Sequence, residues 1–437
     1  MFTVLRGGEV YNPDPVGKAD VLLVGDKIAR IGEVDIGALE HCKLALEVID
    51  VEDCLVVPGF IDPHEHLLGG SGEEGFRTQT PEISLSEIVA GGITTVVGCL
   101  GTDTTTKSMP GLLAKAKAFN EEGITSYIYS GGYNVPPSTL TGSVRNDMLF
   151  VAEVIGAGEI AMSDARSTEP TIHELARVVR DGYVGGLLTE KAGVTHFHVG
   201  SGRGRLAPLR SLLDDYDIET ASLYPTHVKR SEELMLEAVE LSRRGVTVDI
   251  DTVEGDLARW VIFFLDHGGD PLRLTVSSDA AVNSPRAVWD QVRSCVLDHG
   301  LPFVILLRMV TSNTSSVLKL TAKGRLVEGA DAEVVAVQKQ SLEIVEVIAK
   351  GRPFVRKGEC TFRERFLQSS NRKIELHGEK LQAASNNGRT ARWNSVPSTR
   401  DADRYWRRRT ERGQPADSGA DREASEGRKT RGVDDRQ

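Results

Sequence analysis

Apolar and polar residues alternate over short stretches in two separate parts of the chain, one near the N terminus and one before residue 360. The stretches are FTVLRGGEVYN, DVLLVGDKIARIGEV and LEVIDVEDCLVVPG near the N terminus, and DAEVVAVQ and LEIVEVIAKGRPFVRKGE much later. Alternation of this kind, interrupted by Gly, Asn and Asp, predicts short antiparallel strands with one buried face. We therefore predict a small β-sandwich domain that is built from both ends, residues 1–57 and 326–360.

The middle of the chain, residues 58–325, alternates short apolar runs with amphipathic stretches. ITTVVGCL and THFHVG are typical of buried strands, and SEELMLEAVELSRRG has the spacing of a helix. Strands that alternate with helices predict βαβ units and a parallel sheet. Seven or eight such units in roughly 270 residues favour a TIM-like (β/α)8 barrel. An open doubly wound sheet is the alternative, but no GxGxxG opens a helix after a first strand.

Residues 361–437 have few aliphatic side chains and a dense mixture of both charges. Such a segment cannot bury enough apolar surface to offset the loss of chain entropy on folding. We predict a disordered C-terminal tail there.

Composition narrows the class of protein. The formal net charge of −11 over 437 residues argues against a nucleic-acid binder. The five cysteines are far apart and form no CxxC pair, which suits a reducing compartment rather than a disulfide framework. The start of the chain has no signal-peptide pattern, and no apolar run approaches the roughly 20 residues of a membrane span. We expect a cytoplasmic protein with no membrane partner, and a homo-oligomer, since symmetric assembly is common.

Polar side chains that can bind metal follow several predicted strands. His64 and His66 end GFIDPHEH, and because residues i and i+2 of a strand share a face, both should point into the barrel mouth. Three further residues also close apolar runs: His198 in THFHVG, His227 in LYPTHV and Asp279 in LRLTVSSD. Imidazole and carboxylate ligands of this kind suit zinc.

The spacing leaves one ligand undecided. His196 shares a strand face with His198, so it is a rival ligand.

Taken together, these motifs resemble a known group of enzymes. GFIDPHEH, PTH and SSD, with the split β-domain, resemble the amidohydrolase superfamily of metal-dependent barrel hydrolases. The resemblance narrows to isoaspartyl (β-aspartyl) dipeptidases through HEHLLGGSGEEG, GCLGTD, NEEGITSYIYSGGYNVPPSTLTGSV, SDARS, THFHVG and LYPTHVKR. It covers about residues 1–360.

The resemblance implies two zinc ions per chain. His64 and His66 would bind one ion with Asp279, and His198 and His227 would bind the other. Many superfamily members bridge the two metals with a carboxylated lysine. The matching stretch here, VIGAGEIAMSD, contains no lysine and has Glu159 at that place.

A glutamate is shorter than a lysine carbamate, so a bridging Glu159 needs its backbone closer to the metals. The neighbouring glycines, Gly156 and Gly158, allow such an approach. The alternative is that Glu159 is an ordinary solvated carboxylate.

The resemblance also implies a mechanism. Two metals would activate a bridging water as hydroxide, and Asp279 would accept its proton and pass it to the departing amine. Tyr133 would donate a hydrogen bond to the developing oxyanion. The substrate contacts would be Glu73 to the α-ammonium, Arg166 and Arg230 to carboxylates, and Thr102 and Ser284.

Two departures from the family pattern lie near the substrate. Ala165 replaces the histidine of an SD-His-R motif, and Asn283 stands where a serine is expected, with Ser284 displaced by one residue. The leading hypothesis is a zinc-dependent dipeptidase that acts on small β-aspartyl dipeptides. The alternatives are a cyclic-amide hydrolase of the dihydroorotase or hydantoinase type, and a metal-free barrel with a binding or structural role.

Overall fold

The structure is a computed structural model that describes residues 2–43, 45–70 and 72–371. Its strands, in chain order, are β1 (Phe2–Asn12), β2 (Asp14–Val24), β3 (Lys27–Gly32), β4 (Leu46–Asp50), β5 (Cys54–Pro58), β6 (Phe60–Glu65), β7 (Ile93–Gly98), β8 (Thr125–Ser130), β9 (Val154–Met162), β10 (Val194–Val199), β11 (Leu223–Thr226), β12 (Val248–Asp251), β13 (Leu274–Ser277), β14 (Val334–Gln338), β15 (Ile344–Ala349), β16 (Arg352–Arg356) and β17 (Glu359–Cys360).

The α-helices alternate with the parallel strands in the middle of the chain. They are α1 (Ile36–His41), α2 (Leu85–Ala90), α3 (Met109–Glu122), α4 (Val144–Phe150), α5 (Ile172–Thr189), α6 (Ala207–Asp215), α7 (Glu232–Arg243), α8 (Leu257–Asp266), α9 (Ala287–Leu297), α10 (Phe303–Met309), α11 (Ser312–Val317) and α12 (Arg365–Ser369). Short 3₁₀ helices cover Phe76–Thr78, Thr220–Ser222 and Pro271–Arg273. No helix within the described ranges has both the length and the apolar character that crossing a membrane requires.

Strands from both ends of the chain join in one sheet. Its order is β17-β16-β15-β14-β5-β1-β2-β3, and β4 also pairs with β1. β14 runs antiparallel to β5, with Val335 opposite Val57. Apolar residues of the N-terminal and C-terminal strands, such as Val21, Val56 and Val334, share one buried cluster. The two-layered sandwich stays a prediction, because strand pairing assigns all nine strands to a single sheet.

The middle of the chain forms parallel sheets, as the alternation of strands and helices predicts. β6 to β11 lie side by side in chain order in a six-stranded sheet, and β12 pairs with β13. Backbone bonds connect the segment after β13 to the end of β6: the N–H of Asp279 donates to the carbonyl of His64, and the N–H of His66 to that of Ala280, both at 3.0 Å. The predicted α/β class with a parallel sheet is confirmed, and the closed (β/α)8 barrel stays a prediction.

Local sequence signals explain where the helices begin and end. α3 begins after Ser108, whose Oγ accepts the N–H of Gly111, and it carries Pro110 in its first turn. It ends at Gly123, whose φ of 116° is a left-handed conformation that favours glycine. The helix therefore ends just before β8, the next parallel strand.

A buried polar cluster lies at the amino ends of β7 and β8. We call it the amino-end cluster; it comprises Thr94, Thr95, Thr125, Lys323, Asp331 and Glu333. Glu333 accepts hydrogen bonds from all three threonine hydroxyls and pairs with Lys323, which also contacts Asp331. The cluster therefore connects the parallel strands to the segment that leads into β14.

The predicted tail begins too early. Residues 361–371 are described, and they contain α12. Glu364 is largely buried, and it accepts hydrogen bonds from the N–H and Oγ of Ser86, at 3.0 and 2.6 Å. Phe362 packs against Phe354 with ring centroids 5.2 Å apart. The rest of the predicted tail, residues 372–437, lies outside the described residues.

Candidate active site

The six predicted metal ligands lie at the carboxyl ends of the parallel strands. They come from β6 and the residue after it (His64, His66), from β9 (Glu159), from β10 (His198), and from the segments after β11 (His227) and β13 (Asp279). Chemistry in barrel-like folds gathers at this end because loops there can carry side chains from many strands. Distant parts of the sequence therefore supply one group of side chains.

Glu159 lies at the centre of this group and is fully buried. Its Oε1 is 3.4 Å from Nε2 of His66. Its Oε2 faces three other imidazole nitrogens: Nε2 of His64 at 3.4 Å, Nδ1 of His198 at 3.1 Å and Nε2 of His227 at 3.8 Å. The solvated alternative for Glu159 is therefore wrong, and its two oxygens face different histidines.

Two glycines let β9 approach its neighbour. A Cβ at Gly156 would lie 2.4 Å from the carbonyl oxygen of Val194, and one at Gly158 would lie 2.9 Å from that of His196. Side chains at these positions would push β9 away from β10. The glycines thus serve the contact between strands that places Glu159.

Asp279 faces three of the same four histidines. Its Oδ1 is 3.4 Å from Nε2 of His64 and 3.1 Å from Nε2 of His66, and its Oδ2 is 3.8 Å from Nε2 of His227. Burial opposes its ionisation, but the neighbouring imidazoles hold its pKa below the ordinary value. For Glu159 too, burial is outweighed by His64 and His198, which keep its pKa well below its usual range. Both carboxylates are ready to bind cations.

The donor set fits a divalent metal. Three groups of possible ligand atoms each lie within 4.8 Å: His64, His66, Cys99 and Glu159; His64, His227 and Asp279; and Glu159, His198 and His227. Among the described residues, neither ring nitrogen of His64 nor Oε1 of Glu159 has a hydrogen-bond partner. Buried polar atoms rarely lack partners, so these atoms fit a coordinated ion. Nitrogen and oxygen donors of this kind suit zinc.

The rival His196 lies one layer deeper. Its ring packs against Tyr129 and Tyr224, with centroids 5.1 and 4.8 Å away, and it belongs to none of the three groups. Residues i and i+2 share a face but are separated along the strand by about 6.6 Å. That displacement distinguishes His196 from His198.

Sequence reasoning missed three residues behind the histidines. Cys99 follows β7, and its Sγ is 3.7 Å from Nδ1 of His66. Asp164 Oδ2 is 3.1 Å from Nε2 of His198, and Asp251 Oδ2 is 2.8 Å from Nδ1 of His227. A signal for Asp251 was available, because it ends the apolar run VTVDID as Asp279 ends its own run.

A cavity of about 330 Å³ opens beside the histidines and Asp279. Five of the six remaining predicted site residues line it: Glu73, Thr102, Tyr133, Arg166 and Arg230. The hydroxyl of Tyr133 lies 2.7 Å from Nδ1 of His198. Burial raises the pKa of Tyr133 well above its ordinary value, so the phenol keeps its proton and can donate a hydrogen bond.

Ser284 does not take its predicted place. It is exposed, and its Oγ accepts the N–H of Arg286, whereas Asn283 lines the cavity and donates from Nδ2 to the carbonyl of Ser278. Asn283, which stands where the family pattern has a serine, is therefore the residue that faces the cavity.

The two arginines differ in what they already bind. Arg166 pairs with Asp164 through Nε and Nη2, both at 2.9 Å, and with Glu73 through Nη1 at 2.7 Å. Arg230 donates from Nε to the carbonyl of Val199, and among the described residues no carboxylate forms an ion pair with it. Arg230 is therefore better placed than Arg166 to receive a substrate carboxylate.

Comparison with solved structures identifies the family. The β-aspartyl dipeptidase of the thermophilic keratin degrader Fervidobacterium islandicum AW-1 is 39% identical, covers 84% of this chain and all of its own, and superposes with a TM-score of 0.79. The chain belongs to the β-aspartyl dipeptidase family. The predicted resemblance is thus confirmed, and with it membership of the amidohydrolase superfamily. A second structure of that dipeptidase, 38% identical, is a complex with β-Asp-Leu.

Other known proteins share the fold of this chain or match short segments of it. Atrazine chlorohydrolase from Arthrobacter aurescens, solved with zinc, is 15% identical with a TM-score of 0.56 over 84% of this chain. A dihydroorotase of Clostridium acetobutylicum is 38% identical over 97 residues, which are 22% of this chain and 21% of that protein. An imidazolonepropionase of Yersinia pseudotuberculosis is 30% identical over 178 residues, covering 39% of this chain and 40% of the relative. The chain thus matches well under half the length of these curated relatives, and no family model matches it.

Proposed function

We propose that this chain is a metal-dependent β-aspartyl dipeptidase, which hydrolyses the amide between the β-carboxyl of an aspartate and the next residue. The observation that carries the proposal is the position of Glu159 between four imidazoles, with Asp279 facing three of them beside an open cavity. Kinship to an enzyme crystallised with β-Asp-Leu supports the substrate class.

The proposed cofactor is two zinc ions per chain. His64 and His66 with Asp279 would hold one ion, and His198 with His227 would hold the other. Glu159 would serve both, because its two oxygens face different histidines. Bound there, the ions would supply a water of lowered pKa and an electrophile for the substrate carbonyl.

Asp279 is the proposed general base and acid. Its carboxylate lies beside the histidines and also lines the cavity, so it can reach both the attacking water and the leaving amine. Its lowered pKa keeps it ionised before the reaction begins. The proton that it receives would pass to the departing amine.

Other cavity residues would orient the dipeptide. The protonated hydroxyl of Tyr133 would donate to the carbonyl oxygen as negative charge develops. Arg230 would bind a carboxylate and Glu73 the α-ammonium, with Thr102 bonded to Glu73 at 3.1 Å. Arg166 would hold Glu73 and Asp164 in place, which modifies its predicted role as a clamp.

We also propose the finer architecture. Residues 58–325 would form a closed (β/α)8 barrel, supported by the backbone bonds between β6 and the segment after β13. Residues 1–57 and 326–360 would form the small β-sandwich domain beside it, supported by the pairing of β14 with β5. A cytoplasmic homo-oligomer remains the expected form of the enzyme.

A second candidate is opening of a cyclic amide, which the short matches to dihydroorotases favour. The test is a panel of β-Asp-Leu, α-Asp-Leu and dihydroorotate offered to zinc-loaded protein, with released amine measured by ninhydrin and ring opening by absorbance. We expect cleavage of the β-linked dipeptide alone, its loss after chelation and its return with zinc. Equal cleavage of both dipeptides, or reaction with dihydroorotate only, would overturn the proposal.

A further inference from the structure

The four candidate histidine ligands differ in what lies behind them. The ring of His227 turns Nε2 toward Glu159 and Asp279, and its other nitrogen, Nδ1, is 2.8 Å from Oδ2 of Asp251. The ring of His198 turns Nδ1 toward Glu159, and its Nε2 is 3.1 Å from Oδ2 of Asp164. Each of these two imidazoles therefore has a carboxylate at the nitrogen that faces away from Glu159.

A cation lies behind each of those carboxylates. Lys229 places Nζ 3.4 Å from Oδ1 of Asp251 and also pairs with Glu254 at 2.6 Å and Asp256 at 2.9 Å. Arg166 holds both oxygens of Asp164 through Nε and Nη2. The cations fix the carboxylates in their ionised form and in one orientation.

The first pair of histidines has no such support. Nδ1 of His64 has no hydrogen-bond partner among the described residues. Within the described part of the chain, the hydrogen-bond partner of Nδ1 of His66 is the thiol of Cys99, at 3.7 Å, and sulfur is a weak acceptor. The two halves of the candidate metal centre are therefore built differently.

A carboxylate that accepts the distal N–H of a histidine fixes its tautomer and ring orientation and increases the basicity of the ligating nitrogen. We propose that Asp164 and Asp251 are positioning residues that hold His198 and His227 with their ligand nitrogens toward Glu159, so that these two histidines retain their metal ion more tightly than His64 and His66 retain theirs. This inference rests on the proposed binuclear centre.

Two arginine contacts at His198 must be reconciled with this assignment, and the longer of them places Nη2 of Arg230 3.4 Å from Nε2. Nη2 of Arg166 lies 2.9 Å from Nε2 of His198, and a guanidinium can only donate. Oδ2 of Asp164 lies within 3.1 Å of both nitrogens, so it can accept from Arg166 and from a protonated Nε2 of His198 together. Nδ1 then keeps its lone pair, which faces the hydroxyl of Tyr133 at 2.7 Å in this structure and which a bound metal would take instead. At His227 no arginine of the described ranges competes with Asp251 in this way, so Asp251 gives the sharper test.

The test measures metal release rather than activity. Full-length protein is loaded with Zn²⁺, excess ion is removed, and the two ions are withdrawn by a chromogenic chelator. The wild type is expected to release them in a fast and a slow phase. Asp251→Asn keeps the shape of the side chain but accepts more weakly, and it should accelerate the slow phase by about 10–100-fold while the fast phase changes less than about twofold. Asp164→Asn should act in the same direction.

A matched control separates positioning from general loosening of the fold. Asp331→Asn removes a carboxylate from the other buried lysine, Lys323, far from the candidate ligands in the amino-end cluster. It should leave both phases unchanged. An unchanged slow phase in Asp251→Asn and Asp164→Asn, equal acceleration of both phases, or the same effect in Asp331→Asn would overturn the inference.

The same experiment distinguishes the inference from the proposed function. If wild-type protein takes up no zinc, the metal centre itself is wrong. If it binds two ions that leave at one rate, the proposed function stands and only the inequality of the two positions fails.

Discussion

The two ends of the parallel strands each contain a buried lysine among carboxylates. At the carboxyl ends, Lys229 lies among Asp251, Glu254 and Asp256. At the amino ends, Lys323 lies between Asp331 and Glu333. The lysine side chains are 4% and 5% exposed, so burial does not distinguish them.

What distinguishes the two ends is whether the polar atoms are satisfied. Both oxygens of Glu333 accept hydrogen bonds from threonine hydroxyls, and Lys323 adds its charge. At the carboxyl ends, by contrast, His64 and one oxygen of Glu159 have no hydrogen-bond partner among the described residues. A fully bonded buried network stabilises a fold, whereas orphaned donors and acceptors mark a place that a ligand completes. One end is built for stability and the other for binding.

The largest expected effect comes from Glu159→Gln at the carboxyl ends. It removes the negative charge that faces four imidazoles, so the protein should bind fewer than two zinc ions per chain. Cleavage of β-Asp-Leu should fall about 10⁴-fold, which corresponds to about 5 kcal/mol in the activation barrier. Metal analysis of the purified variant and steady-state kinetics measure the two quantities.

Glu333→Gln is the matched control, because it makes the same change at the amino ends. That variant should keep both zinc ions and lose stability instead. Retention of two ions by Glu159→Gln would remove Glu159 from the metal centre and weaken the distinction between the two ends.

A smaller effect, confined to stability, is expected from Lys323→Met. Removing the lysine leaves Glu333 buried without its cation, whereas Asp331 keeps Lys27, and breaking one side of a buried ion pair costs about 3–5 kcal/mol. Urea unfolding of the variant should show this loss. The kcat/KM of the folded protein should stay within about twofold of the wild type. A loss of activity without a loss of stability would reverse the roles assigned to the two ends.

The sequence predicts much of the carboxyl end because that end has a simple rule. Polar residues that close apolar runs must meet when the runs are parallel strands, and this places His64, His198 and Asp279 together. The backbone follows a similarly simple pattern, because strands that alternate with helices pair in parallel. That alternation is sufficient to predict the parallel sheet.

The remaining contacts depend on features that no periodicity records. Asp164 and Asp251 act through the distal nitrogens of histidines, and a rotamer decides which nitrogen faces them. In the irregular loop after Asp279, a shift of one residue exchanges Ser284 for Asn283 at the cavity. Sequence reasoning also missed the amino-end cluster. Lys323 and Glu333 lie in the segment that leads into β14. The alternation of apolar and polar residues can predict that such positions are buried, but it does not predict which side chains they contact.

The smallest expected effect is a pH dependence at the amino ends. Burial opposes the ionisation of Asp331, but Lys323 and Lys27 outweigh it and lower the pKa of this carboxyl. A carboxyl with a lowered pKa in the folded state stabilises the protein fully above its ordinary pKa, near 4, and this contribution is lost as the pH falls through the folded-state value.

The wild type should therefore exceed Asp331→Asn by about 1 kcal/mol in unfolding free energy near pH 7, since the pair is partly exposed to solvent. Urea titrations of zinc-free protein from pH 7 to pH 3 should show the difference shrinking only below about pH 4. If the difference in unfolding free energy grew as the pH falls, Lys323 and Lys27 would not be stabilising the ionised form of Asp331. The amino-end cluster would then lack part of the bonding that distinguishes it from the candidate metal centre.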